Sequence, residues 1–183
     1  MRQASRHGPR LPGGPPRAIK WVIISAPWYK RDREGMGDSD YTPLKLHAAD
    51  LKDLSVVAAM LQDALAPIGD IAWLADEGSF VMALNRFRWE AEDEARNAEG
   101  RPHERVHAGL RFDKVKSVQF RNIDRNERGR YLELLTIACD EGRVVLHFAG
   151  GAAIRLEVET LACALADLDE PWPTPWKPEH EGE

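Results

Sequence analysis

An α+β fold, mainly antiparallel β with a curved sheet or partly open barrel of hairpins and one amphipathic helix on one face, follows from three features of the sequence. Apolar and polar residues alternate with period two in one stretch after another, the mark of strands with one covered and one solvated face. Helical spacing of apolar residues occurs in a single segment, Asp50 to Leu65. The triplet Asp-Glu-Gly stands twice between alternating runs, at 76–78 and 140–142, where glycine can take the left-handed conformation of a hairpin turn.

The chain has 183 residues, 43% of them hydrophobic, enough to bury one core without disulfide or metal staples. The two cysteines, Cys139 and Cys163, are far apart and form no Cys-x-x-Cys pair, so neither a disulfide framework nor a zinc site is indicated and a cytoplasmic location is expected. No apolar run approaches the roughly 18 residues that cross a bilayer, so no membrane partner is expected. Residues 1–35 carry eight Lys/Arg against Asp32 and Glu34, a net of plus six; with the whole chain at minus five, the remainder stands at minus eleven. An acidic body makes nucleic acid an unlikely partner, because non-specific binding comes from phosphate neutralisation by Lys and Arg.

Residues 1–35 read as a disordered basic extension or an over-long start, since Met36 directly precedes the first patterned segment. Their apolar island, Trp21 to Ile24, is too short for a signal-peptide core. One globular domain is expected over 36–183, with a Pro/Trp-rich tail from Asp169. Pro43 to His47 alternates as a first strand. Leu51, Leu54, Val57, Ala58, Leu61 and Leu65 then recur at helical spacing, with Asp50 as N-cap and Pro67 and Gly69 as terminators.

Ile71 to Ala75 and the run from Ser79 form a hairpin about Asp76-Glu77-Gly78. In the second strand Phe80, Met82 and Leu84 share one parity and Phe87 and Trp89 the other, which predicts a bulge near Asn85-Arg86 that turns Arg86, Arg88 and Glu90 outward. Residues 91–104 are polar and read as a loop. Val106 to Phe112 and Val118 to Phe120 alternate as strands, and 122–130 is a charged loop. A second hairpin joins Tyr131–Cys139 to Arg143–Phe148, and an offset of 64 superposes its pattern on the first. Gly150-Gly151 reverses the chain into the strand Ile154–Val158. Leu161 to Leu168 is compatible with a short helix and with a strand. The tail holds Trp172 and Trp176 among four prolines, an extended segment expected to lay its indoles on the body.

Leu44-Lys-Leu-His, Leu61-Gln-Asp-Ala, Ala83-Leu-Asn-Arg-Phe-Arg-Trp-Glu90, Phe148-Ala-Gly-Gly-Ala-Ala-Ile-Arg-Leu-Glu157 and Asp169-Glu-Pro-Trp-Pro-Thr174 stand in one order along the chain. Together they resemble a bacterial family, domain of unknown function 2948, found mainly in alphaproteobacteria. The resemblance implies a small bacterial cytoplasmic protein and carries no catalytic residues with it.

No motif specifies chemistry. His103 and His107 are four apart, but Pro102 and the alternation that follows place them on a strand rather than on one helical face, so no metal is expected. Neither cysteine sits in a nucleophile elbow, no catalytic residue is assigned, and no cofactor is implied. The expected function is a non-catalytic binding or adaptor module for a protein or anionic ligand. Its candidate surface is an outward, Arg-rich strand face of Asn85, Arg86, Arg88, Trp89, Arg105, His107 and Arg111, joined by Trp172 and Trp176 of the tail. The competing expectation is that these arginines pair with Glu90, Glu133 and Glu157 across the sheet. A small-molecule sensor or enzyme with a pocket between helix and sheet, lined by Trp73, Trp89 and His107, is the alternative.

Overall fold

The computed structural model describes residues 41–95 and 102–178, the side chains of 93–95 excepted. The basic extension, the proposed start at Met36, part of the polar loop after Ala95 and the last residues of the tail lie outside the described residues.

Eleven strands form one strongly curved sheet with two helices. In chain order these are β1 (Lys45–Ala48), α1 (Leu51–Met60), β2 (Ala64–Pro67), β3 (Ile71–Leu74), β4 (Ser79–Phe87), α2 (Trp89–Ala95) and β5 (His103–Phe112), followed by β6 (Val115–Arg121), β7 (Tyr131–Asp140), β8 (Arg143–Phe148), β9 (Ala153–Val158), β10 (Cys163–Asp167) and β11 (Trp172–Thr174). The sheet runs β1-β10-β5-β4-β2-β7-β8-β9-β6, with β3 beside the first half of β4 and β11 beside the start of β5. Every pairing is antiparallel. This is the mainly antiparallel α+β architecture that the alternation implies.

The inner face carries Phe80, Met82 and Leu84 from β4, Leu110 and Phe112 from β5, and Leu165 from β10. These meet Leu134, Val144, Leu146, Phe148, Ile154 and Leu156 from the opposite half of the sheet in one buried cluster. Helix α1 adds Leu54 and Val57, with Leu61 just beyond its end. Its first turn is capped as expected: the Asp50 side chain accepts from the Asp53 N–H at 2.9 Å. The chain passes from β5 into β6 through Asp113 and Lys114, from the middle of one half of the sheet to the far edge of the other. The Val115 N–H donates to the Gly78 carbonyl at 2.8 Å across that join.

The helix stops at Met60 rather than Leu65. Asp63 takes a left-handed φ of 59° and its N–H donates to the Leu134 carbonyl, so Ala64 to Pro67 leaves the helix and pairs with β7. Leu51, at the head of the apolar stripe, is 63% exposed. The two Asp-Glu-Gly triplets form different turns. Leu74 pairs with Ser79 across a four-residue loop, whereas Asp140 pairs with Arg143 and leaves only Glu141-Gly142, both at positive φ, as the loop. The cross-strand registers consequently differ by two residues, since Trp73 faces Phe80 while Ile137 faces Leu146. Residues 163–167 are a strand, which resolves the choice left open there. Gly150 and Gly151, at φ 71° and 73°, turn β8 into β9.

No bulge interrupts β4 against β5: the register is unbroken from Phe80↔Phe112 to Phe87↔Arg105. The parity conflict has another resolution. Beta strand 4 is covered on both faces for most of its length, so Val81 and Phe87 are as buried as Phe80 and Met82. Trp89 and Glu90 already belong to α2, where strand parity no longer applies. Register shifts occur instead in β6, between Val115 and Ser117, and in β7, between Leu134 and Thr136.

Candidate functional site

Strand parity separates the arginines expected on one face. Arg86 shares the inward parity of Phe80, Met82 and Leu84, so it points into the end of the core, not outward, and is fully buried. Asp167 reaches the same place from β10, opposite Ala108. Its carboxylate accepts from Arg86 Nε and Nη2, both at 2.7 Å, from the Tyr41 hydroxyl at 2.5 Å and from the Leu44 N–H at 2.9 Å. Glu90 closes the other side of the guanidinium, accepting from Nη2 at 2.7 Å and Nη1 at 3.0 Å. Burial alone disfavours the Arg86 charge, but the two carboxylates outweigh it and hold the guanidinium above its ordinary range. Burial likewise raises the Glu90 carboxyl, and Arg86 more than reverses that, leaving it below the ordinary value. Burial and then Asp167 raise the Tyr41 hydroxyl. Arg86 is thus saturated by protein groups and is not available to a ligand.

Arg88 is half-buried, paired with Glu104 and 3.6 Å from Glu90, with its guanidinium 4.8 Å from the Tyr41 ring centre. Trp89 donates its indole N–H to the Gln62 carbonyl at 3.2 Å and packs against Phe87, ring centres 4.6 Å apart and planes tilted at 57°. Arg111 is buried on the outward face. Its Nε donates to Asp113 at 2.7 Å and its Nη2 to the Ser79 hydroxyl at 2.9 Å. Arg143 and Arg155 pair with Glu157. Of the expected partners only Glu90 meets candidate arginines, Arg86 and Arg88; among the described residues Glu133 and Glu157 form no ion pair with them, and Asp167, Glu104 and Asp113 take those places instead.

The outward parity of β5 carries Arg105, His107, Gly109 and Arg111. In register across the neighbouring strands, Phe87, Arg105 and Trp172 form one row, and Glu133, Leu65, Asn85 and His107 form the next. His107 is exposed and lies against Trp172, ring centres 4.5 Å apart. Arg105 is half-buried. Its Nη1 donates to the Asn85 carbonyl at 3.2 Å and the Asp63 carbonyl at 3.4 Å, and its guanidinium lies 5.7 Å from the Phe87 ring centre. Burial lowers its pKa, partly offset by Asp63 and Glu133. Among the described residues it forms no salt bridge within 4.0 Å.

Of the sequence-derived candidates, Asn85, Arg105, His107 and Trp172 therefore converge. Trp89 flanks them through Phe87. Arg111 lies on the same face further along β5, Arg86 and Arg88 belong to the ion-pair network, and Trp176 is 77% exposed instead of lying on the body. Trp73 faces Phe80 on the inward parity whereas His107 faces Asn85 on the outward one, so these two do not line one pocket. His103 holds Glu92 at 2.7 Å, and Lys177 lies 3.4 Å from the same carboxylate. No group of three or more His, Cys, Asp or Glu with metal-binding geometry occurs among the described residues. Asp167, the buried partner of Arg86, is not among the residues singled out from sequence. Its signal was an acid on the same parity as Cys163 and Leu165, matched by an arginine on the same parity as Met82 and Leu84.

A family model described as a protein of unknown function, DUF2948, matches residues 44–180, well over half the chain. The chain belongs to this family. The matched span runs from Leu44, hydrogen-bonded to Asp167, through β11, so it contains Arg86, Glu90 and Asp167 of the buried network, but not Tyr41, and the Arg105 face. No curated protein and no solved structure matches. Among the described residues no helix is long and apolar enough to cross a membrane.

Proposed function

We propose that this protein is a non-catalytic binding module of a bacterial, alphaproteobacterial cytoplasm, and that it recognises an anionic group on a partner through Arg105, His107 and Trp172. Arg105 carries the reading. It is the candidate arginine held by backbone carbonyls rather than by a carboxylate, so its orientation is set while its charge is offset only at longer range by Asp63 and Glu133. A guanidinium fixed in this way presents a planar donor edge suited to carboxylate or phosphate. The His107–Trp172 pair beside it, rings tilted at 44°, supplies aromatic surface that packs a ligand's apolar part. Cys139 and Cys163 remain thiols, in keeping with a reducing compartment.

Affinity capture from a bacterial lysate with wild type, Arg105→Ala, Trp172→Ala and the control Arg143→Ala tests the reading. Partners retained by wild type and the control and lost from both site variants support it. Equal recovery by all four proteins refutes it.

A further inference from the structure

Two opposite charges face each other over the open part of the outward face without meeting. Arg105 starts on β5 and reaches across β4, where its guanidinium donates to the carbonyls of Asn85 and of Asp63, and the Asp63 N–H in turn donates to Leu134 of β7. Glu133, the residue before Leu134, is exposed on the outward parity of β7 opposite Leu65, and its charge acts on Arg105. Among the described residues neither group forms an ion pair within 4.0 Å, with the other or with any third group. Half-buried Leu65 and Asn85, paired in register, lie between them.

The surface around Glu133 suits a cation. Tyr131, on the same parity two residues before it and opposite Pro67, is 56% exposed. A carboxylate beside an open aromatic ring receives a Lys or Arg side chain, the charge meeting the acid and the stem or guanidinium lying on the ring. Asp70, three residues beyond Pro67, adds a half-buried carboxylate on which Arg128 and His107 act. At longer range the field has one sign, because residues 36–183 stand at minus eleven. That field repels a wholly acidic partner and draws in a basic one.

We propose that the anionic group bound at Arg105 is a carboxylate carried by an otherwise basic segment of a partner protein, with a neighbouring Lys or Arg of that segment docked on Glu133 and Tyr131. The inference rests on the Arg105 reading and deepens it by naming the partner's chemistry. Strands β4 and β7 are separated by β2 alone, so the two subsites lie within about 10 Å of each other. Side chains two residues apart on one side of an extended segment start about 7 Å apart and cover that distance. A phosphate brings a charge of about −1.5 to −2, which Arg105 alone would have to offset against Glu133 and Asp70. A carboxylate accompanied by its own cation meets both signs.

The test is backbone amide NMR of the full chain, titrated with synthetic peptides of about seven residues. One carries Asp and Lys two residues apart among Ser and Leu, and two controls replace the Lys or the Asp by Ser. The mixed peptide is expected to shift the amides of Arg105 and Trp172 together with those of Tyr131 and Glu133, and the Asp-only peptide only the first pair. A surface ion pair together with a cation–π contact should make the mixed peptide about tenfold tighter than the Asp-only one. Added salt should weaken it. Glu133→Gln, at an exposed position, should bring the mixed peptide down to the Asp-only level, and Arg105→Ala down to the Lys-only level. If the Asp-only peptide binds as tightly as the mixed one and Glu133→Gln weakens neither, the mixed-charge inference is overturned and the Arg105 reading stands. If the Lys-only peptide matches the mixed one and Arg105→Ala changes nothing, or if no peptide binds, both fall.

Discussion

Arg86 is fully buried and bracketed by two carboxylates, the buried Asp167 and the partly exposed Glu90, and removing one member of such a set leaves an uncompensated buried charge. Arg86→Met is expected to destabilise the protein by about 3–5 kcal/mol in urea denaturation. The Arg143–Glu157 surface pair should contribute no more than about 1 kcal/mol in the same measurement. Glu90 adds a pH dependence with a definite sign. Its folded-state pKa lies below the unfolded value of about 4.3, so its contribution is complete above that value and is lost as pH falls through the lower folded value. Urea midpoints at pH 6 and pH 3 should therefore differ less in Glu90→Gln than in wild type. The thiols differ through burial, which pushes Cys163 up to about 12 and raises Cys139 less far. Iodoacetamide at mildly alkaline pH should label Cys139 in the native protein and Cys163 only after unfolding, as peptide mapping would show.

At the scale of elements, turns and caps carry the local specification. Gly142 stands at φ 77°, and a Cβ there would meet the Val158 carbonyl oxygen at 3.2 Å; Gly150, at φ 71°, has nothing within 4 Å of the same position. Both alanine substitutions incur left-handed strain of about 1–2 kcal/mol, and Gly142→Ala should be the more destabilising of the two in thermal melts. The Asp50 cap of α1 should be worth about 1 kcal/mol, measured as the loss in Asp50→Ala. Beta strand 4 shows why parity alone misled. Alternation identifies the face toward the core only when the other face is solvated, and here Val81 packs with Ala72 and Leu74 while Phe87 packs with Trp89 and His103. Helix α1 ends early for a similar reason: the periodicity of Leu61 and Leu65 is helical, but Ala64 to Pro67 pair with β7 instead, and Pro67 has no N–H to continue a helix.

Across the whole molecule, a single buried cluster joins both halves of the curved sheet to α1, so unfolding is expected in one cooperative step. Phe112→Ala and Leu146→Ala, from opposite halves, should each lower that same transition by about 3–5 kcal/mol for the phenylalanine and about 2–5 for the leucine. By itself the sequence determined the class of fold, most strand positions, the Asp50 cap and the two hairpins, because these depend on period, turn chemistry and capping within a few residues. It did not separate Asn85, Arg105, His107 and Trp172 from Arg86, Arg88, Trp89, Arg111 and Trp176, which it placed on the same surface. Tertiary structure decided which arginines meet a carboxylate and which do not. Arg86 and Asp167 are 81 positions apart and meet only because β10 lies beside β5 and β5 beside β4. Whether a guanidinium faces a carboxylate, a carbonyl or nothing depends on strand order, and neither strand order nor the covering of both faces of β4 is encoded in local spacing. That is the physical reason the expected patch of arginines resolves into a buried ion-pair network and an outward row running from Arg105 to Arg111.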